Sequence, residues 1–412
     1  MMRSFFAGVT GLRNHQVRMD SIGNNIANVN TIGYKAGRVT FKDAFSQLFQ
    51  AASRPGNTGG FGTDPIQIGL GMNVAGVDIM YTQGNLQNTG VSTDMAIQGD
   101  ALFVLSDGGE QFYSRAGNFQ FDALGRLSDS ATGFLVQGLT GTNGVLGQTL
   151  GNIQVPVGVK APAQMTANAL MGGNLDAQTA VGDTRQNSIN IFDSLGIPHD
   201  MTVTFTKTAT PNEWDFTVTA TDGTAVSGDT GTLVFDSMGA LVSPATTDFV
   251  FTPLNITPDQ TVTIDFGVVG SIQGLSQFAS PTTAVITEQD GYTMGELRGV
   301  QVDNTGTVTG TYANGTIQTL AQIGLATFNN PGGLQRRGDN LMAETANSGS
   351  AQIGYAGQGT TSTITAGALE MSNVDLAEQF TDMITTQRGF QSISRVITTS
   401  DEMIQELVNL KR

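Results

Sequence analysis

Apolar residues recur at every seventh position towards both ends of this chain and at every second position through its middle. Near the start, Phe5, Leu12, Met19 and Ile26 stand seven apart, with Val9, Ile22 and Val29 in the adjoining rows of one stripe. That spacing predicts an amphipathic helix from Ser4 to about Asn30, with Ser4 as its N-cap. Gly8, Gly11 and Gly23 each weaken its propensity by up to about 1 kcal/mol relative to Ala, so the helix needs packing partners to persist.

From Asn373 onward, Leu376, Met383, Phe390, Ile397 and Ile404 repeat the sevenfold spacing, and Ile384, Ile393, Met403, Leu407 and Leu410 widen the stripe. A second helix is expected, capped by Asn373. Asp375 and Glu378 lie at the end where the dipole favours anions, and Lys411 and Arg412 at the end that favours cations.

Between the helices the period becomes two, as in Met201-Val203-Phe205, Trp214-Phe216-Val218, Leu233-Phe235 and Val262-Ile264-Phe266, which predicts half-buried strands. The pairs Asp107-Gly108, Asp222-Gly223, Asp290-Gly291 and Asn314-Gly315 read as hairpin turns. The segment from Ala51 to Gly71 has neither period and reads as a long loop or a linker ordered on assembly. The fold class expected is mainly β with terminal helices that pair as a coiled-coil-like core, followed by β-rich outer domains, the outermost inserted in the inner one.

Length and composition narrow the function. A size prior of about 150 residues per domain divides 412 residues into two to four domains. Residues 1–30 and 372–412 are expected to form the helical core, and 31–71 with 362–371 a linker region. Residues 72–145 with 282–361 form an inner β domain, and 146–281 an outer one. No run approaches the roughly 18 apolar residues of a membrane span. The net charge of -16 supplies no cationic surface to displace counterions from phosphate, so neither nucleic acid nor membrane insertion is expected. With no Cys, disulfides and thiolate metal sites are excluded. The N-terminus lacks the apolar core and cleavage site of a secretion signal. That fits a cytoplasmic protein or export by a route that reads no cleaved signal.

Two narrow seams at opposite ends of a β-rich chain either cover the β domains within one monomer or pair and bury their remaining sides against other copies. Head-to-tail contacts that do not close make an open helical polymer.

Candidate chemistry is sparse. His15 is expected on the surface of the first helix and His199 in a hairpin loop, without a matching acid and nucleophile. Asp193, His199 and Asp200 fit no strong metal-ligand spacing and read as turn formers. The glycines from Gly69 to Gly76 lack a phosphate-loop pattern and read as a turn into a strand. Arg336-Arg337 reads as a solvated loop, and Trp214 as core. No catalytic, cofactor or metal site is expected.

Several local runs carry a resemblance. Gly23-Asn24-Asn25-Ile26-Ala27-Asn28-Val29-Asn30-Thr31-Ile32-Gly33-Tyr34-Lys35 reads physically as a helix stop followed by a turn at Gly33, with Asn28 and Asn30 bonding nearby backbone. Thr82 to Gly90 followed by Asp94 to Gly99, and Tyr113-Ser114-Arg115-Ala116-Gly117-Asn118-Phe119 with Asp122 and Gly125, lie in the β-rich region. Gly367-Ala368-Leu369-Glu370-Met371-Ser372-Asn373-Val374-Asp375 and Gln387-Arg388-Gly389-Phe390-Gln391 lie at the other end. In identity and order these runs resemble the signatures of the flagellar rod and hook axial protein family. The length, the insert and the run Phe192 to Met201 are similar to the hook branch and not to the shorter distal rod branch.

The resemblance implies a non-enzymatic, self-assembling subunit of the curved extracellular tube that acts as a universal joint between rod and filament. It implies export through the flagellar type III apparatus without signal cleavage. The partners it implies are other copies, rod proteins at one end, the hook cap during assembly and junction proteins at the other end. The distal rod protein of the same family is the alternative, and a secreted β-rich adhesin is the alternative from another class.

Overall fold

The computed structural model describes residues 2–52, 62–142, 144–155, 158, 160–253 and 259–410. Strand occupies 49% of the chain, which places the fold in the mainly β class expected. The chain divides into two compact units, one of residues 1–157, 300–310 and 318–412, the other of residues 158–299 and 311–317.

The first unit holds both helices. Helix α1 spans Met2–Ala27 and helix α2 spans Leu376–Asn409. Ser4 therefore lies inside α1 and does not cap it, and Val29 falls in the turns beyond its end. The cap of α2 is Asp375, whose carboxylate accepts from the backbone N–H groups of Ala377 and Glu378, and not Asn373. Glu378 stands in the first turn, where the dipole favours it. Lys411 and Arg412 lie outside the described residues.

The β part of this unit is built on Leu102–Ser106, whose five residues are all buried. It pairs with Gln111–Ser114 across the Asp107-Gly108 turn and with Leu135–Thr142 and Leu325–Thr327. Leu102, Val104, Tyr113, Ala326, Leu334 and Met342 form its core. Closer to α1, Gly37–Asp43 pairs antiparallel with Met72–Ile79. The segment read as a loop is partly strand: Ile66–Gly69 pairs with Ser46–Gln50, both fully exposed ribbons without a buried face to impose a period. Residues 53–61 of that segment lie outside the described residues.

The second unit is a sandwich. One antiparallel sheet orders Thr184–Phe192, Pro198–Lys207, Glu213–Ala220, Thr230–Phe235 and Leu241–Ser243. The other orders Gly223–Ser227, Thr246–Pro253, Gln260–Asp265, Asn168–Asp176 and Leu275–Phe278, with Val285–Gln289 also on Asn168–Asp176. The expected strands are all present, and their alternate residues meet in one core that includes Met201, Val203, Phe205, Trp214, Phe216, Leu233, Val262 and Ile264. Trp214 is fully buried.

Two of the four expected hairpins do not form. After Asp222, Gly223–Ser227 leaves its neighbour and pairs with Thr246–Pro253 in the other sheet. The strand before Asp290, Val285–Gln289, pairs with Asn168–Asp176. The turn that recurs instead is Asp-x-x-Gly-x, at Asp122, Asp193, Asp236 and Asp303. In each, one carboxylate oxygen accepts from the N–H groups two and four residues on. The glycines at 125, 196, 239 and 306 take φ between 72° and 84°, a conformation that favours glycine. Loss of the carboxylate leaves two turn N–H groups without it, so Asp236→Ala is expected to lower the stability of the second unit by about 1 kcal/mol in urea melts. Asp236→Asn, which keeps an acceptor oxygen, should stay near wild type.

Candidate functional site

The two helices pair antiparallel within the chain, and glycine makes the close approach possible. A Cβ on Gly8 would sit 3.0 Å from Ile397 Cγ1, and one on Gly11 would sit 2.9 Å from Ile393 Cδ1. On the opposite helix, a Cβ on Gly389 would meet the His15 ring at 3.0 Å. His15 is thus half-buried in the seam and not on the outer surface. Burial, then Arg18, hold its imidazole below its usual pKa. Further along, Arg18 pairs with Asp382 at 3.1 Å, and Asn25 Nδ2 donates to Gln379 Oε1 at 3.0 Å. In α2 the residues buried most deeply are Gln379, Thr386 and Ser400.

The expected heptad residues therefore divide. Ile393 and Ile397 enter the intrachain seam, and Ile22 is buried. Phe5, Leu12, Met19, Ile26, Met383, Phe390 and Ile404 are half-buried. Val9, Leu376 and Leu407 stay 43%, 40% and 50% exposed, joined on the open sides by Phe6, Phe380, Ile384, Val396, Met403 and Leu410. A row of apolar residues thus lies uncovered on α2, and Phe6 and Val9 lie uncovered on α1.

Where the helices meet the β part, a buried ionic cluster holds the segments together. Glu370, six residues before α2 begins, is 0% exposed; its Oε1 accepts from Lys35 Nζ at 2.7 Å and from Gly84 N at 2.8 Å. Its Oε2 accepts from Arg115 Nε at 2.5 Å. The Arg115 guanidinium also donates to the carbonyls of Ala101, Ile97 and Gly99, and Lys35 donates to Thr82 O. One carboxylate thus serves two cations. Burial alone would raise the Glu370 pKa, but Arg115, Lys35 and the Gly84 N–H outweigh it and the carboxyl lies below its usual range. Lys35, which shares that anion with Arg115, is driven down by burial more than Glu370 restores it.

The run around Lys35 supports this cluster with hydrogen bonds of its own. Tyr34 OH donates to Asn25 Oδ1 at 3.1 Å, Asn24 Nδ2 donates to Tyr34 OH, and Asn25 also bonds both backbone groups of Gly37. Asn28 bonds back to Asn24 O and accepts from Thr31 Oγ1. Gly33 takes φ 67° and donates its N–H to Glu370 O. Asn373, free of capping duty, accepts from Ala36 N and donates to Met80 O, Thr82 O and Thr82 Oγ1. Leu369 is buried, Val374 and Ser372 half-buried, Asp375 caps α2, and Ala27 closes α1 exposed.

Residues outside the expected set complete the cluster. Arg336 is on a strand, Gln335–Gly338, not a loop; its guanidinium lies 5.1 Å over the Tyr34 ring and donates to Lys35 O. Asn340 donates to Ile32 O at 2.9 Å. Arg115 and Gly84 belong to runs quoted above, and a buried destination for such charges leaves no periodic trace. In the second unit, His199 is buried on Pro198–Lys207 with Nε2 3.2 Å from Asp193 Oδ2, so it is core and not loop. Asp193 does form a turn, whereas Asp200 stays exposed on the strand. Among the described residues no group of His and acidic side chains gathers as a metal site. Gly71, at φ 114°, turns the chain into Met72–Ile79 as expected, and a Cβ on it would clash with Thr10 Oγ1 of α1.

Comparison with known proteins agrees with this arrangement. Residues 7–35 match the flagella basal body rod protein family, 96–169 the flagellar hook protein FlgE/F/G D1 domain, 160–292 the flagellar basal body protein FlaE D2 domain, and 365–410 the flagellar basal body rod FlgEFG protein C-terminal family. The flagellar hook protein FlgE of Borreliella burgdorferi is 41% identical and that of Treponema pallidum 38%, each over 100% of both chains. The Helicobacter pylori flagellar hook protein FlgE2 structure covers 69% of this chain and 100% of its own at a TM-score of 0.54 and 14% identity, a likeness of fold. With helices paired from both termini, a β body clamped to them and relatives alike over their whole length, the chain belongs to the flagellar hook protein FlgE family, a structural family of the flagellum and basal body whose members self-polymerise.

Proposed function

We propose that this protein is the structural subunit of the flagellar hook, polymerising into a curved extracellular tube that carries torque from rod to filament as a universal joint. The observation that carries this reading is the apolar surface left uncovered after the two helices have paired with each other, a row along α2 with Phe6 and Val9 on α1. Each such side chain contributes about 1.5–3 kcal/mol when fully buried, and neighbouring copies supply the cover. Phe5, Val9, Leu12, Met19, Ile22, Ile26, Leu376, Met383, Phe390, Ile397, Ile404 and Leu407 are the assembly residues in this reading, divided between the seam within a copy and contacts among copies.

The buried Lys35-Glu370-Arg115 cluster makes the helix pair and the β body a single lever, so load on one reaches the other. The helical core holds while outer β surfaces, rich in neutral Thr, Ser, Asn and Gly, slide between contacts of similar energy. The division into helical core, linker, inner β domain and outer inserted domain follows that duty. The subunit acts without catalysis or cofactor, leaves the cell unfolded through the type III apparatus without signal cleavage, and meets rod proteins, the hook cap and junction proteins along its course.

Leu376→Asp and Leu407→Asp test the reading, because both positions are open in the single chain and neither change should disturb its fold. Seeded tube formation, followed by electron microscopy and sedimentation, is expected to be lost in each while the monomer melts as wild type. Normal tubes from either variant would sink the helix-core assembly.

A further inference from the structure

The second compact unit is strongly acidic. Residues 158–299 include 15 Asp and Glu against four Lys and Arg, a net charge of -11, and no Lys or Arg lies between Lys207 and Arg298. Like surfaces of this charge repel when they approach. Among its uncharged stretches are residues 237–247 and residues 266–287, which contain no Asp, Glu, Lys, Arg or His.

The fold lays these two neutral stretches side by side. Gly270 N donates to Leu241 O at 2.8 Å and Gln277 N to Gly239 O at 2.9 Å. A Cβ on Gly239 would sit 3.1 Å from Phe278 Cε1. On this shared ground Met238 is 77% exposed, Val242 44%, Val268 59%, Val269 51%, Ile272 65% and Phe278 42%. Of the flanking carboxylates, Asp236 and Asp265 are half-buried and held by local turns, Asp236 accepting from Met238 N and Ala240 N and Asp265 from Gly267 N, whereas Asp248 and Glu288 are exposed at the outer ends of the two stretches. Apolar side chains gathered at such exposure mark a contact surface.

We propose that this neutral apolar patch is where the second unit of one copy meets a second copy of this chain. Charge selects that occupant. Identical acidic units can approach closely only where neither carries charge, whereas a basic partner would be drawn to the acidic faces around the patch. The proposal rests on the polymer reading and deepens it, because it names a contact among copies outside the helices.

The chain contains no Cys, so introduced thiols are the only ones present. Full-length protein carrying Met238→Cys with Ile272→Cys is assembled from seeds and oxidised with diamide. A ladder of disulfide-linked oligomers is expected from the tubes, lost when they are depolymerised before oxidation and absent with Val181→Cys and Val226→Cys together, an exposed two-thiol control in the same unit. Tubes that form without a ladder, or with an equal ladder from the control, overturn the patch and leave the polymer reading standing. Wild-type chain that never forms tubes overturns both. Should the thiol variant not fold, Val269→Ser with Ile272→Ser gives the same decision. Its tubes are expected to dissociate at lower temperature than wild type while its monomer melts unchanged, and equal dissociation temperatures overturn the patch. A foreign protein captured by the patch in place of a second copy, with no ladder in tubes, also overturns it.

Discussion

Glu370→Gln is expected to destabilise the unit that carries both helices by about 3–5 kcal/mol, the cost of removing one partner from a buried ionic cluster. The carboxamide can still accept from Lys35 or Gly84, but its NH2 faces donors, and Arg115 and Lys35 remain buried with no counter-charge. The comparison is Asp122→Asn, which removes the anion of the partly exposed Arg126 pair while keeping an acceptor oxygen for the local turn. An exposed pair of that kind contributes little, because water screens it. Urea melts followed by a probe confined to the first unit decide the matter, and a Glu370→Gln loss no larger than that of Asp122→Asn would refute the clamp.

The same carboxylate sets an acid limit. Its folded pKa is below its unfolded value, so the folded state binds fewer protons over that interval. The resulting stability is present above the unfolded carboxylate range and is lost as pH falls through the folded value. Wild type should therefore weaken on acidification below the usual carboxylate range, and Glu370→Gln should lack that part of the decline.

Gly33→Ala carries the second large effect. At φ 67° a side chain costs about 1–3 kcal/mol, and the new Cβ would lie 2.6 Å from the Ala116 backbone N and 2.8 Å from the Arg115 carbonyl carbon, atoms that cannot rotate away. Relief requires moving either the chain between α1 and Lys35 or the strand end that holds Arg115, and both loosen the ionic cluster. A loss of several kcal/mol is expected, with new protease sensitivity around residues 27–37. Gly11→Ala is the contrast: its Cβ meets the flexible end of Ile393, and alanine raises helix propensity by about 1 kcal/mol. An equal response at the two glycines would show that backbone contact at Gly33 is not what matters.

Period and turn chemistry made much of the fold legible. Met201, Val203 and Phe205, with Trp214, Phe216 and Val218, point every second side chain to one face, and the sandwich core is where they meet. The sevenfold rows similarly announced α1 and α2. Local signals were weaker where two partners compete for one role. Asp375 caps α2 because Asn373 is drawn into bonds with Ala36 and Thr82, segments that lie about 290 to 340 positions earlier in sequence. Asp222-Gly223 turns the chain but does not return it to its neighbour, and the following strand pairs with Thr246–Pro253 in the other sheet.

By itself, then, the sequence determined the element types, the two terminal helices, the charge balance and the family signature, since each depends on spacing between near neighbours along the chain. Only the tertiary structure decided that glycines, and not leucines, form the closest seam between the helices, and that Lys35, Arg115 and Glu370 share one buried site. Both depend on which distant backbones come within contact distance. A missing side chain gains meaning only from the neighbour that fills its space, and a scarce charge only from the partner that removes it from water.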